Sequence, residues 1–234
     1  MNSTHLSVRL ATVGQHVESG SRLADIGSDH AYLPINLALN GVIDYAVVGE
    51  VRQGPLENSK HEIAKEGLTD KLHPRLADGL AAIEPDDNVD HITIAGMGGA
   101  LISHILETGK DKLTGKEKLI LQPNVGEENV RRWLQSYGYT ITAEEILAED
   151  GHTYEIIVGQ KLADQPEYSR ADLFFGPHLR QEKNTVFLQK WRDELSQKKV
   201  ILKNIQQSQK SEPEKIEQFT TEIKMIEEML EGEG

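Results

Sequence analysis

The chain has 234 residues, of which 38% are hydrophobic, a length that suits one core domain of ordinary size together with a smaller part. It contains no cysteine, which excludes disulfides and thiolate metal sites and favours a reducing, cytoplasmic compartment. The net charge of −13 is unfavourable for nucleic acid over the chain as a whole, the amino terminus lacks a signal-peptide pattern, and no apolar run approaches the roughly 20 residues that cross a bilayer.

Strands and helices are predicted to alternate over the first 136 residues. Helical spacing of apolar residues predicts a first helix over residues 6–17. Strands are then predicted over residues 22–26, 45–51, 73–77, 89–95 and 118–122. The helices that follow the strands are predicted over residues 34–39, 54–65, a segment ending near 107, and 127–136. This alternation predicts a parallel sheet with helices on both faces.

The end of this series breaks the alternation. Two strand-like runs, residues 139–147 and 153–158, are joined by a turn that contains Asp150 and Gly151, and such a pair is a strong hairpin signal. A hairpin cannot be parallel, so the last strand is predicted to run against the other six. We therefore predict an α/β fold of the class I (Rossmann-like) methyltransferase type, because a dinucleotide-binding fold normally closes with a sixth parallel strand.

After residue 160 the pattern changes to two heptad-spaced helices. Apolar residues recur at steps of three and four over residues 188–205 and 216–230, which predicts an antiparallel helical hairpin of coiled-coil type. Residues 208–214 are predicted to form the turn between the helices. We expect a methyltransferase domain over residues 1–161, with the connector and hairpin over residues 162–234.

The two helices of this tail carry opposite charge. Residues 170–210 hold nine basic and four acidic residues, whereas residues 211–234 hold two basic and eight acidic ones. The basic segment could bind phosphate, and it could equally pair with the acidic helix. If it binds RNA, neutralising its lysines should lower both the affinity and its salt dependence. The lysines concerned are Lys190, Lys198, Lys199 and Lys203.

Residues 23–34 form the most informative segment of the sequence. A short apolar strand that includes Asp25 ends at Gly27, and Pro34 lies near the start of a helix. Glycine lets the backbone approach a ligand, and the helix start offers unpaired N–H groups. Asp25 and Asp29 would repel a pyrophosphate but suit a cofactor with ammonium and sulfonium groups, such as S-adenosylmethionine. The sequence has no G-x-G-x-x-G motif, which also argues against a pyrophosphate site.

Polar residues at the ends of the following strands extend this site. We expect Asp29 to face the cofactor ammonium, Glu50 the ribose hydroxyls, and Asp78 the adenine amino group. Residues 96–99 would form a flat wall beside the sulfonium. Structural alternatives exist for these positions, since an acid can hold a turn or cap a helix and glycines can open a helix. The residues assigned to cofactor binding are Asp25, Gly27, Asp29, Glu50, Val51, Asp78, Gly79, Ala95, Gly96 and Met97.

Candidates for contact with a substrate lie at two of these strand ends. Gln122 and Asn124 follow the fifth strand and could hydrogen-bond a base edge, the alternative being a proline-ended strand with a capping Asn. His30 and Tyr32 lie beside the first turn and could stack on or orient a base. We expect no bound metal, because no metal-binding spacing is found for His16, His61 and His73.

These segments resemble one family, the bacterial tRNA (adenine-22-N1)-methyltransferases, often called TrmK. The resemblance rests on residues 25–34, 49–50, 77–79, 95–99 and 121–124, and it continues into the tail. It implies transfer of a methyl group from S-adenosylmethionine to N1 of an adenine at position 22, near the D-arm of tRNA. It also implies that the helical hairpin helps to hold the RNA. The candidates that it gives for catalysis are Asp29, His30, Gln122 and Asn124.

The implied reaction requires little machinery. Adenine N1 has a free lone pair, so transfer chiefly requires alignment of the nucleophile, the methyl group and the leaving sulfur. A carboxylate such as Asp29 could stabilise the positive charge that the base acquires. Because N1 lies on the pairing edge, we expect the base to leave its stack. We expect a monomer that acts on tRNA; a methyltransferase for another substrate and a non-catalytic RNA-binding module are the alternatives.

Overall fold

The computed structural model describes residues 3–207 and 212–232. The chain divides into two compact units, Met1–Ser169 and Arg170–Gly234. All strands of the described residues lie in the first unit, and the second unit is helical. Within the described ranges, no helix combines the length and the apolar character that a membrane span requires.

The first unit alternates strands and helices along the chain. Its strands are β1 (Ser21–Ile26), β2 (Ile43–Glu50), β3 (Leu72–Leu76), β4 (His91–Gly98), β5 (Lys118–Val125), β6 (Thr140–Glu149) and β7 (His152–Gln160). Its α-helices are α1 (Val8–Gln15), α2 (Tyr32–Leu39), α3 (Gln53–Lys65), α4 (Gly99–Thr108) and α5 (Glu127–Ser136). Short 3₁₀-helices occur at Gly79–Ala82, Pro85–Asp87 and Lys110–Lys112.

The seven strands form one sheet in the order β3-β2-β1-β4-β5-β7-β6. β1 to β5 pair in parallel, whereas β7 is antiparallel to both β5 and β6. β6 therefore runs in the same direction as β1 to β5, and β7 alone is reversed. The predicted class I methyltransferase fold is confirmed. The strand order reverses between β1 and β4, which places a topological switch point at their carboxyl ends.

Alternate side chains of the central strands enter two separate hydrophobic clusters, one on each face of the sheet. In β2, Val47 packs into one cluster, whereas Ala46 and Val48 pack into the other. All three side chains are completely buried. Burial of both faces explains why residues 45–49 of this strand carry no charged side chain.

The hairpin between β6 and β7 follows the predicted turn chemistry. Asp150 and Gly151 have φ angles of 50° and 77°, and a two-residue hairpin turn of type I′ requires positive φ at both positions. Glu149 lies opposite His152 in the strand pairing. The turn thus reverses the chain directly and makes β7 antiparallel.

Several predicted boundaries move by a few residues. α1 begins at Val8 instead of residue 6, because Ser7 caps the helix by accepting the N–H of Leu10 at 3.2 Å. α2 begins at Tyr32, so Pro34 is its third residue and not its first. β4 and β5 extend three residues further than the sequence predicts, because the backbone pairs on past Ala95 and Gln122.

The second unit contains α6 (Arg170–Phe175), α7 (Leu179–Glu182), α8 (Thr185–Gln207) and α9 (Pro213–Glu231). α8 and α9 confirm the predicted pair of long helices, and they contact each other. The predicted turn over residues 208–214 lies largely outside the described residues. α6 and α7 were missed, because the connector has too few residues for a periodic pattern. Phe174, Phe175 and Trp191 form an aromatic cluster with ring centroids 4.7–5.0 Å apart.

Candidate active site

The carboxyl-terminal ends of the parallel strands β1 to β5 lie side by side. These strand ends, with the segments that directly follow them, are here named the carboxyl edge. Ile26 is opposite Gly49, and Glu50 is opposite Leu76. The backbone N–H of Gly27 donates to the carbonyl of Gly49 at 2.8 Å. The segments predicted to bind the cofactor are therefore neighbours at this edge.

The first turn is the segment of residues 27–31 between β1 and α2. Asp25 lies behind this turn and not on its surface. It is 4% exposed and accepts hydrogen bonds from the hydroxyl groups of Ser28 and Thr93, the latter at 2.6 Å. Burial raises the pKa of Asp25, and the two hydroxyl donors oppose that effect. The carboxyl group of Asp25 thus joins the turn to β4, and its contact with the cofactor stays a prediction.

Glu50 is held next to the first turn by the backbone. Its side chain is 5% exposed and accepts the N–H of Asp29 at 2.6 Å. Burial raises the pKa of Glu50, whereas the hydrogen bond from Asp29 lowers it. A partly desolvated carboxylate at a strand end has a free oxygen for hydroxyl donors, which is the chemistry expected of a ribose site.

The first turn has an unusual backbone. Asp29, His30 and Ala31 are consecutive and have φ angles of 39°, 70° and 58°, a region that non-glycine residues rarely occupy. Asp29 is 78% exposed, and its carboxylate lies 3.8 Å from the His30 ring. The ring of His30 stacks on Tyr32 with centroids 5.2 Å apart. The left-handed backbone thus presents a carboxylate and a stacked ring pair at the carboxyl edge.

Close packing of glycines shapes the end of β4. A Cβ atom at Gly27 would lie 2.0 Å from the Cε of Met97, so Met97 packs directly over the first turn. A Cβ atom at Gly99 would lie 2.0 Å from the carbonyl oxygen of Gly126, where α5 begins. The segment 96–99 is therefore closely packed at Met97, which contacts Gly27, and at Gly99, whereas Gly98 has open space beside it.

The end of β3 adds an exposed carboxylate beside apolar side chains. Asp78 is exposed, and Gly79 follows it with a φ of 53°. Val51 and Leu76 are 61% and 53% exposed, respectively. An exposed carboxylate can hydrogen-bond an amino group, and exposed apolar side chains can cover the faces of an adenine ring.

A polar cluster anchors the segment that carries Asp78. Arg75 binds Asp87 through both terminal nitrogens, at 2.6 and 2.8 Å, and donates to the carbonyl of Ala82 at 2.8 Å. Tyr45 also donates its hydroxyl to Asp87. Burial alone raises the pKa of Asp87, but the hydrogen bonds from Arg75 and Tyr45 outweigh it and lower the pKa to about 2.

The two amide residues at the end of β5 differ in exposure. Gln122 is completely buried, and its amide donates to the carbonyl of Pro123 at 2.9 Å and to the Oδ1 of Asn124 at 3.2 Å. Asn124 is exposed and donates to the carbonyl of Gly96 at 2.9 Å. The polar groups of Gln122 are engaged inside the protein, and its contact with a base edge stays a prediction. Asn124 remains accessible.

Sequence reasoning missed Arg9 and Tyr154. Nη1 of Arg9 donates to the Oε1 of Gln122 at 2.5 Å, and its guanidinium lies 5.4 Å from the ring centroid of Tyr154. Arg9 is separated from Gln122 by 113 residues. No local pattern in the sequence distinguishes it from an ordinary basic residue of an amphipathic helix.

Lysines of the tail form ion pairs within the hairpin. Lys198 lies 2.8 Å from Glu222, and Lys199 lies 2.6 Å from Glu227. Lys203 is exposed and has no ion pair within residues 3–207 and 212–232. Part of the basic charge of α8 is thus neutralised by α9, as expected if the basic segment pairs with the acidic helix.

The part of the chain that the structure describes contains no group of three or more His, Asp or Glu side chains arranged to hold a metal ion. His16 lies 2.8 Å from Glu145, and His73 lies against the ring of Tyr45.

Comparison with protein families gives one match over most of the chain. Residues 23–228 match the family model described as TrmK: tRNA (adenine(22)-N(1))-methyltransferase. The tRNA (adenine(22)-N(1))-methyltransferase of Bacillus subtilis (strain 168) is 43% identical over 237 residues, which cover 99% of each chain. The match thus includes both the carboxyl edge and the helical tail.

Solved structures agree with this match. The crystal structure of the B. subtilis M1A22 tRNA methyltransferase TrmK has a TM-score of 0.91 and 42% identity, over 97% of this chain and 99% of that one. A Streptococcus pneumoniae protein solved in complex with S-adenosyl-L-methionine has a TM-score of 0.88 and 44% identity, over 97% and 100%. M. capricolum TrmK, solved with S-adenosyl-homocysteine, has a TM-score of 0.86 and 29% identity, over 97% and 98%.

Proposed function

The chain belongs to the tRNA (adenine(22)-N(1))-methyltransferase family, and from this premise we propose how its carboxyl edge carries out the reaction. The protein is an S-adenosylmethionine-dependent enzyme that methylates N1 of adenine 22 in tRNA. The observation that carries this conclusion is 43% identity to the B. subtilis enzyme over 99% of both chains.

The residues at the carboxyl edge fit a cationic cofactor. Gly27 has a φ of 70°, which favours glycine, and Met97 fills the space that a side chain at this position would occupy. Glu50 supplies a buried carboxylate, and Asp29 and Asp78 supply exposed ones. Three carboxylates favour ammonium, hydroxyl and amino groups and disfavour a pyrophosphate.

We assign the cofactor contacts as follows. Glu50 accepts the ribose hydroxyls, Asp78 accepts the adenine amino group, and Asp29 faces the ammonium. Val51 packs on the adenine ring. The remaining contacts are made by the backbone and side chains of Gly27, Gly79, Ala95, Gly96 and Met97. Asp25 supports the turn from behind through Ser28 and Thr93.

S-adenosylmethionine supplies the methyl group, which bonds to adenine N1 as the sulfonium–methyl bond breaks and its electron pair stays on sulfur. No general base is required, since N1 carries no proton that must leave. The protein therefore acts by orientation. Asn124 presents an exposed amide that can bind the base edge, and the stacked His30 and Tyr32 can orient the ring. Asp29 stabilises the positive charge that moves to the base.

The remaining assignments concern organisation. The methyltransferase domain spans residues 1–161, and the connector and coiled-coil hairpin span residues 162–234. This domain boundary lies eight residues before the start of the second compact unit at Arg170. Exposed basic residues of α8, Lys203 among them, contribute to tRNA binding. The protein acts as a monomer in the cytoplasm and uses no metal ion.

The function is tested with two tRNA transcripts that differ only at position 22, one with adenine and the other with guanine. Each is incubated with the protein and S-adenosylmethionine and then copied by primer extension, which stops at N1-methyladenine. We expect a stop at position 22 of the adenine transcript only. A stop at another adenine, or methylation of neither RNA, contradicts the function.

A further inference from the structure

We propose that Arg9 is a positioning residue for methyl transfer, acting through the buried side chain of Gln122 on Gly96 and Asn124. This inference rests on the proposed function of the carboxyl edge. It assigns to the first helix a part in the reaction, although the residues predicted to touch the cofactor or the base all lie at strand ends.

Gln122 is the centre of a closed network. Its Oε1 accepts from the guanidinium of Arg9 at 2.5 Å and from the backbone N–H of Gly96 at 3.0 Å. Its amide nitrogen donates to Pro123 and Asn124 at 2.9 and 3.2 Å. Asn124 in turn donates to the carbonyl of Gly96 at 2.9 Å. The N–H of Gly96 is thus bound by Gln122, and its carbonyl is bound by Asn124. The orientation of Asn124 in turn depends on Gln122.

Arg9 fixes the direction of the Gln122 amide. A guanidinium has only hydrogen-bond donors, so it cannot form a hydrogen bond with an amide that turns its nitrogen towards it. If the amide rotated by half a turn, its NH₂ group would meet the donors of Arg9 and Gly96, and its oxygen would meet the oxygens of Pro123 and Asn124. In a fully buried position each such mismatch is costly, because no solvent compensates for it.

Both the backbone and the guanidinium of Arg9 contact the β6–β7 hairpin. Glu149 accepts the N–H groups of Val8 and Arg9 at 2.6 and 3.1 Å, which fixes the start of α1 on the end of β6. The Tyr154 ring, at the start of β7, lies 5.4 Å from the guanidinium carbon. The β6–β7 hairpin therefore sets the position of Arg9, and Arg9 sets that of Gln122.

Two groups at the carboxyl edge depend on this arrangement. Gly96 precedes Met97, which packs over Gly27, and a displaced Gly96 would shift that contact. Asn124 is the exposed member of the network and is assigned to the base edge. Since methyl transfer depends on alignment, a displacement of 1 Å in either group is expected to slow the chemical step on the order of a hundredfold.

The test compares Arg9→Met, Arg9→Lys and Gln122→Met with the double variant Arg9→Met/Gln122→Met in single-turnover transfer to saturating tRNA. We expect Arg9→Met to lower the rate about 10- to 100-fold while the Kd for S-adenosylhomocysteine changes by less than about threefold. Arg9→Lys, which restores a charged donor, should recover part of the rate. The double variant should be no slower than Gln122→Met alone, because both changes break one network.

Arg132→Met is the matched control, since Arg132 is an exposed arginine on α5 that pairs only with Glu128 among the bonds described. It should keep the wild-type rate. The proposal is overturned if Arg9→Met keeps that rate, or if its effect adds to that of Gln122→Met. It is also overturned if Arg9→Met raises only the KM for tRNA and reduces its salt dependence, which would indicate a phosphate contact.

A spectroscopic readout separates this proposal from the proposed function. In ¹H–¹⁵N spectra, the backbone amide of Gly96 and the side-chain amide of Asn124 should shift in Arg9→Met and return towards wild-type positions in Arg9→Lys. If these signals respond while wild-type protein methylates no tRNA, the network stands and the function fails. If wild-type protein methylates tRNA and neither signal moves in Arg9→Met, the Arg9 proposal fails alone.

Discussion

At the residue scale, the carboxyl edge depends on positions where the structure leaves room for no side chain. Gly98 and Gly99 are neighbours in the sequence, yet they differ in this respect. A Cβ at Gly99 would meet the carbonyl oxygen of Gly126 at 2.0 Å, whereas one at Gly98 would meet no atom of the described chain within 4 Å. The backbone contact between Gly99 and Gly126 brings the first turns of α4 and α5 together at the end of β4.

The first prediction compares these two glycines. Gly99→Ala should lower the free energy of unfolding by about 2 kcal/mol or more, because neither backbone segment can move without disturbing its helix. Gly98→Ala should change it by less than about 1 kcal/mol, since its φ of −71° suits alanine. Urea denaturation of both variants provides the comparison. Equal stabilities would show that α4 and α5 are not in close contact.

The second prediction concerns acid stability. The pKa of Asp87 is lowered from 3.8 to about 2, so the folded state favours its charged form. The resulting stabilisation, about 2 kcal/mol, is present above pH ~4 and is lost as the pH falls towards ~2. In urea denaturation at a series of pH values, Asp87→Asn should lack this component, so its difference from wild type narrows in that window. A constant difference across the window would contradict the assignment.

The proximity of residues at strand ends could be predicted from the sequence because the topology dictates where they meet. Glu50 and Asp78 follow parallel strands, and the carboxyl ends of such strands share one edge. The roles of Asp25 and Gln122 could not be assigned in this way, because their burial depends on contacts with Thr93 and Arg9, which are 68 and 113 residues distant. Sequence periodicity carries no information on such pairs.

At the element scale, a buried ion cluster attaches α5 to the β6–β7 hairpin. Arg131 of α5 contacts Glu144 of β6 at 2.6 Å and Glu155 of β7 at 2.5 Å, and each of the three side chains is at most 1% exposed. Burial lowers the pKa of Arg131, but the two carboxylates outweigh this effect and raise it above its usual value. The hairpin that positions Arg9 is thus anchored from its other side by α5.

The third prediction tests that anchor. Arg131→Met leaves two carboxylates buried without their cation and should cost about 3–5 kcal/mol of unfolding free energy. The loss should shrink as the pH falls, because protonation removes the uncompensated charge. Arg132→Met changes the adjacent residue, whose side chain is 52% exposed, and should be nearly neutral. Denaturation curves that do not distinguish the two variants would contradict the role of the cluster.

The fourth prediction concerns α8. Lys203→Ser should weaken tRNA binding and reduce the slope of log affinity against log salt by about one, because one phosphate contact is lost. Lys215→Ser, on the acidic α9, is the control and should leave both unchanged; Lys215 pairs with Glu212. Filter binding at several salt concentrations gives both quantities. An unchanged slope for Lys203→Ser would favour a purely structural role for the basic helix.

At the scale of the whole molecule, a protein with a net negative charge must bind tRNA, which is also negatively charged. The net charge of −13 is concentrated outside residues 170–210, and we propose that the carboxylates serve a cationic cofactor while exposed lysines of the basic segment bind phosphate. The order of elements and the reversed β7 were predictable from the sequence, since the Asp150–Gly151 turn dictates the reversal. The ion pairs that neutralise Lys198 and Lys199 were not, because helix register is set by tertiary packing.

The central claim is that the carboxyl edge of the sheet binds S-adenosylmethionine, and Glu50 offers the most direct test. Isothermal calorimetry with S-adenosylhomocysteine should give a Kd for Glu50→Gln at least about tenfold weaker than for wild type, since hydrogen bonds to a charged group are lost. Asp44→Asn alters a carboxylate at the opposite end of the same strand, where the side chain is 83% exposed, and should bind as wild type does. Wild-type affinity in Glu50→Gln would contradict the account.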